Sequence, residues 1–188
     1  MKTTIHNEQE IFNDFFTIIK AHVSYDSFET GETIHASRLC LERGDSVAVL
    51  LYEADTNSFL FTKQYRYPSA RRDKPIMIEL VAGSLDAGEQ PEACARREVQ
   101  EELGYEVTAL QLITTYFPSP GGCSEQIHVF YGAVNSNAKT TKGGGLASEK
   151  ESIDLVKIPK SEIASKLQSG FFNNSISIIG LQWYLLNH

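Results

Sequence analysis

The chain has 188 residues, 41% of them hydrophobic, and a formal net charge of −7, which suits one domain with a small extension and a sizeable core. An acidic balance without any basic cluster excludes nucleic acid and anionic membrane as ready partners. Cys40, Cys94 and Cys123 form no CxxC pair, so no disulfide framework or zinc site is expected and a cytoplasmic location is. The segment MKTTIHNEQEIF lacks a signal-peptide core, and no apolar run reaches membrane-spanning length.

Residues 1–10 are polar and predict a frayed end. Residues 12–28 are β-like, 29–32 read as a turn, and 33–41 alternate as a strand. Such a unit is too small to be stable alone and needs the rest of the chain or a second copy. Residues 46–52 (SVAVLLY) form a near-continuous apolar run, as in a strand buried on both faces. With the turn at 55–58 and the strand at 59–66 they predict a hairpin. A loop over 68–75 precedes a strand over 76–82.

Pro91 fits the first turn of a helix and Gly104 its left-handed end. Residues 106–116 predict a strand, 117–125 a loop rich in breakers, and 126–134 another strand. Residues 135–150 are polar and carry Gly143-Gly144-Gly145, read as a flexible hinge. A strand over 152–158, a helix from Pro159 to Leu167, and a last helix from Ser175 follow. In the last helix Ile176, Ile179, Trp183 and Leu186 share one face.

The stretch that carries chemistry is Val81–Val107, VAGSLDAGEQPEACARREVQEELGYEV. At about 100° per residue, Arg97, Glu98, Glu101 and Glu102 fall on one helical arc, beside an apolar stripe of Ala95, Val99 and Leu103. Like charges at this spacing cost about 0.2–0.5 kcal/mol per pair. One arginine cannot neutralise three acids, and a hard divalent cation with oxygen ligands can.

The spacing of Gly83, Glu89, Arg97-Glu98-Val99, Glu101-Glu102 and Gly104 matches the Nudix box; Tyr105 stands where that family usually has an aliphatic residue. Beyond the box, Gln64-Tyr65-Arg66, Ser119-Pro120-Gly121-Gly122 with Glu125, and Gly143-Gly144-Gly145-Leu146 with Glu149 and Glu151 resemble the ADP-ribose and GDP-mannose pyrophosphatase branch. The resemblance implies an α/β/α sandwich around a mixed sheet, over residues 44–188. It implies that residues 1–43 are an N-terminal β extension, exchanged or packed at the interface of a homodimer. The implied reaction is metal-dependent hydrolysis of a nucleotide sugar with Mg²⁺ or Mn²⁺.

By the same resemblance Glu98, Glu102, Glu151 and the backbone carbonyl of Ala82 are the expected metal ligands. Glu101 bridges or supports them, and Arg97 orients the glutamates. Glu149 is the expected water-activating base. Arg66 is a candidate diphosphate contact, and Glu79 and Glu125 are candidate acceptors for sugar hydroxyls. Two alternatives stand beside this reading: a catalytically silent ligand-sensing Nudix module, and a nucleoside triphosphate pyrophosphatase.

Overall fold

Thr3–Asn13 (β1), Thr17–Asp26 (β2) and Thr33–Glu42 (β3) pair antiparallel in the order β1-β2-β3. The computed structural model describes all residues 1–188, and the chain divides into two units. Residues 1–10 are not frayed: β1 is paired along β2 from Thr3↔Tyr25 to Asn13↔Thr17. Every β1 residue is exposed, so no apolar alternation marked it. The β-like run 12–28 is broken at residues 14–16, where the Asp14 amide donates to Phe16 O at 3.1 Å and closes a hairpin.

This first unit comprises Met1–Asp45 and also Phe117–Gln126, a loop that sequence alone placed with the remainder of the chain. The loop lies along β3: the Leu41 amide donates to Gly122 O at 2.8 Å, and the Ser124 amide to Leu41 O at 3.2 Å. The Gln126 amide donates to Asp45 Oδ1 at 2.9 Å.

The second unit, Ser46–Tyr116 with Ile127–His188, is built on Ser46–Glu53 (β4). Its other strands are Ser58–Tyr65 (β5), Ile76–Glu79 (β6), Val81–Ser84 (β7), Leu110–Tyr116 (β8), Ile127–Val134 (β9) and Asp154–Pro159 (β10). The sheet runs β10-β5-β4-β9-β8, with β6 on β5 and β7 on β4. β4 and β9 are parallel and every other pairing is antiparallel.

The apolar run of β4 has the burial expected of a central strand. Val47, Val49 and Leu51 face a core completed by Cys94, Ala95, Val99 and Leu103. Ala48 and Leu50 face a second core with Ile163, Phe172, Leu181 and Tyr184. Helices on both faces make an α/β/α sandwich: Pro91–Glu98 on one side, and Ile163–Gln168 and Ser175–Asn187 on the other. In chain order, with the short turn Tyr67–Ala70 as α1, these helices are α2, α3 and α4. No helix is long and apolar enough to cross a membrane.

Three local expectations are corrected. The strand over 76–82 is two strands, because at Leu80 the chain passes from β5 to β4 as its partner. The freed Leu80 amide donates to Ser177 Oγ at 3.2 Å. Residues 106–109 lie outside β8. In α4 the buried positions are Ser177, Gly180, Leu181 and Tyr184, and Leu186 is 85% exposed. The small residues govern here: a Cβ at Gly180 would stand 3.0 Å from Leu80 Cδ1, so this face approaches the sheet more closely than a stripe of isoleucines allows.

Candidate active site

The acidic centre is built where β7 runs into α2. Gln90 caps the helix in extended backbone and Pro91 occupies its first turn. α2 ends at Glu98 and the chain continues through a π-helical turn, Val99–Leu103, closed by Gly104 at φ 78°. A π turn is wider than an α turn and is frequent at functional sites. The single arc drawn at 100° per residue therefore does not hold through Glu101 and Glu102. Glu102 turns inward and is buried, and its Oε2 accepts from the Ala82 amide at 3.2 Å. Glu101 is only partly buried and stays beside Arg97.

Arg97 is the hub of the group. Its Nε and Nη2 bond both oxygens of Glu89, at 3.1 and 3.0 Å. Its Nη1 donates to Glu98 Oε1 at 2.7 Å and Glu101 Oε2 at 3.1 Å. Nη2 also reaches Ser84 O at 3.3 Å, which ties the helix to the end of β7. Glu89, with its own contact to the Asp86 amide at 3.2 Å, is held down to about 2 chiefly by Arg97. Cys94 is buried against this cluster, and burial pushes its thiol up to about 12, which suits packing rather than nucleophilic chemistry.

Glu98 and Glu102 are left with charge that Arg97 does not cancel. Burial is the main cause that pushes Glu98 up to about 7; Glu101 and Glu151 add repulsion, against the pull of Arg97. Glu102 is raised well above the usual carboxylate range, by burial first and then by Glu98, with Glu151 adding to it. The Ala82 amide and Arg66 pull the other way. Gly83 makes room for this pair: a Cβ there would lie 1.9 Å from Glu98 Oε1. No three such side chains already converge as a metal cage. An all-oxygen donor set, over-charged and cradled against a glycine, fits a hard divalent cation that keeps water or phosphate ligands.

The glycine triplet is a clasp rather than a free hinge. All three residues have positive φ. The Gly144 amide donates to Glu102 O at 2.8 Å and the Gly145 amide to Glu101 O at 3.1 Å. They satisfy carbonyls that the end of a helix leaves open. Glu151 follows the clasp, with its Oε2 accepting from the Leu146 amide at 3.1 Å, and its charge adds to the repulsion on Glu98 and Glu102. Glu149 lies on an exposed turn, Ala147–Glu149.

Arg66 and Glu79 pair with each other, Nε to Oε2 at 2.8 Å. Glu125 belongs to the first unit, where it is buried and lies 3.7 Å from Arg43. Sequence reasoning missed one group of polar residues, Glu53 with Tyr105 and Lys157. Its only signal was Tyr105 itself, a hydroxyl in an aliphatic slot.

A family model described as NUDIX domain matches residues 42–167. The chain belongs to the Nudix family. Among Nudix relatives, an ADP-ribose pyrophosphatase of Haemophilus influenzae is 34% identical over 98% of this chain and 86% of its own. A GDP-mannose pyrophosphatase of Cronobacter sakazakii is 31% identical over 93% of this chain and 91% of its own. A solved structure described as an ADP compounds hydrolase superposes with a TM-score of 0.72 at 19% identity, covering 99% of this chain and 95% of that one; it shows the Nudix fold. Nudix hydrolases generally need divalent metal ions.

A pH dependence follows from the raised acids. Glu98 keeps its proton in the folded state up to about 7, against 4.5 for the ordinary group. The folded protein therefore binds more protons than the unfolded chain between these values, and stability falls as pH rises through the window. Glu89, which is lowered, acts only below that window. Urea unfolding in EDTA should give a lower midpoint at pH 8 than at pH 6. Saturating Mg²⁺ should remove that difference, because the cation selects the ionised acids. Equal midpoints at the two pH values in EDTA would contradict the crowding of Glu98 and Glu102.

Proposed function

We propose that this protein hydrolyses the pyrophosphate bridge of a nucleoside diphosphate sugar of the ADP-ribose or GDP-mannose type, releasing a nucleoside monophosphate and a sugar phosphate. The observation that carries the reading is the Glu98–Glu102 pair, set against Gly83 with Glu151 in electrostatic reach and only partly compensated by Arg97. The substrate class is that named for the two pyrophosphatase relatives.

In this reading Glu98, Glu102, Glu151 and the Ala82 carbonyl hold Mg²⁺, or Mn²⁺ in its place. When bound, the cation neutralises diphosphate charge and makes water more acidic. Mg²⁺ commonly takes only one or two carboxylates and completes its shell with water and substrate phosphate. Arg97 and Glu101 orient Glu98, and Arg97 braces the loop through Glu89. Arg66 meets the diphosphate while Glu79 fixes its guanidinium and accepts from sugar hydroxyls. Glu149 takes the proton of the attacking water as the new P–O bond forms and the bridging P–O bond breaks.

The working form is a homodimer, supported by the apolar surface of the three-stranded sheet. Ile5, Phe12 and Leu39 are 64%, 54% and 58% exposed there, more than an isolated small sheet tolerates.

Purified protein incubated with Mg²⁺ and a panel of nucleotide sugars and nucleoside triphosphates, then with a phosphatase, tests the function. Phosphate release from at least one nucleotide sugar, in preference to the triphosphates, is expected. No release from any compound would sink the hydrolase reading, and preference for triphosphates would change its substrate. Under the same conditions Glu149→Gln should lower turnover and leave Mn²⁺ affinity unchanged; the reverse pattern removes the base assignment. A monomer in sedimentation equilibrium would remove the dimer.

A further inference from the structure

Glu53 ends β4 and is fully buried, at 0% exposure. Its Oε1 accepts from the Tyr105 hydroxyl at 2.6 Å. Its Oε2 accepts from Lys157 Nζ and from Thr56 Oγ1, each at 2.5 Å. Burial works to raise this carboxyl, and the bonds from Lys157, Thr56 and Tyr105 more than offset it. A buried carboxylate with three donors is costly to disturb and fixes whatever its donors belong to.

Two of the donors belong to the segments that carry the acids of the site. Tyr105 directly follows Gly104, three residues after Glu102; Lys157 lies on β10, six residues after Glu151. Between them the Gly144 amide holds Glu102 O at 2.8 Å, and the Ile153 amide holds Gly144 O at 3.1 Å. Glu151 is thus bracketed by the clasp on one side and by the Glu53–Lys157 bond on the other. An aliphatic residue at position 105 would pack in the same core but would not donate to Glu53.

We infer that Glu53, with Tyr105 and Lys157, is a positioning device that sets the spacing of Glu102 and Glu151, and with it the affinity of the site for a divalent cation. This rests on the metal-dependent reading above. All three residues act through the acids and touch no reacting atom.

The test is Mn²⁺ titrated into nucleotide-free protein, followed by calorimetry and by electron paramagnetic resonance of free Mn²⁺. Tyr105→Phe removes one hydroxyl and keeps the ring. It should raise Kd by about threefold to tenfold, below or at the edge of the roughly 10–100-fold loss seen when direct partners of metal ligands are removed. Lys157→Met should do the same. Thr56→Val removes a donor that belongs to neither acid-bearing segment, so it should lower Tm and leave Kd unchanged.

Folded Tyr105→Phe and Lys157→Met proteins with wild-type Kd would overturn the inference. So would a Thr56→Val protein that loses as much affinity as they do. If Tyr105→Phe does not fold, Lys157→Met against Thr56→Val decides alone, since the Lys157 side chain is 39% exposed. A wild type that binds Mn²⁺ and hydrolyses no nucleotide sugar sinks the proposed function, while shifted Kd values in the variants still support the positioning role. A wild type that binds no Mn²⁺ overturns both.

Discussion

Glu102→Gln should cut turnover by more than about 100-fold while the circular dichroism spectrum is unchanged. The lower bound comes from outer partners of metal ligands, whose removal already costs about 10–100-fold; Glu102 is assigned to the metal directly. The same change should stabilise the metal-free protein. Glu102 is 3% exposed, and its one protein donor is the Ala82 amide at 3.2 Å. A glutamine keeps an oxygen for that amide and removes the repulsion from Glu98 and Glu151. A Tm rise in EDTA of at least about 2 °C is expected, the shift that about 1 kcal/mol gives a chain of this size. Mg²⁺ should stabilise the variant far less than it stabilises the wild type. A variant with the wild-type rate would remove Glu102 from the metal site.

Arg97→Lys is the second large effect, because it conserves charge and destroys geometry. The guanidinium uses three nitrogens to hold Glu89 at two points and Glu98 and Glu101 at one each. An ammonium is a single point of charge and cannot span these positions. kcat/KM should fall by about 10–100-fold, and the Mg²⁺ concentration for half-maximal rate should rise, since Glu98 loses its orientation. Were the variant to keep a rate within about twofold of wild type, Arg97 would be serving only as counter-charge.

The box was legible because its chemistry fixes spacing. Gly83, Glu98 and Glu102 must meet across a strand-to-helix junction, and Gly104 must turn left-handed beyond it. The two-faced burial of β4 was legible for a similar reason, an apolar run without alternation. What stayed hidden depends on backbone geometry or on distance along the chain. The π turn leaves no trace in periodicity, so a uniform helix put Glu101 and Glu102 on one arc. The clasp is made of amides and carbonyls, and three glycines alone read as slack. β1 has no buried residue to mark it. The contact face of α4 is small and partly polar, and hydrophobicity ranks Ile176 and Ile179 above Ser177 and Gly180.

The loop 117–126 has a consequence for anyone who would trim this protein. It leaves the seven-stranded sheet after β8, pairs with β3, and comes back as β9. A chain started at Ser46 would thus be no self-contained fragment. It would retain a ten-residue insert whose hydrogen-bonding counterpart had been cut away, with the Ser124 amide and the Gly122 carbonyl both losing Leu41. The two ends of that insert open directly onto β8 and β9, so a cut made before Ser46 reaches strands that begin more than sixty residues further along.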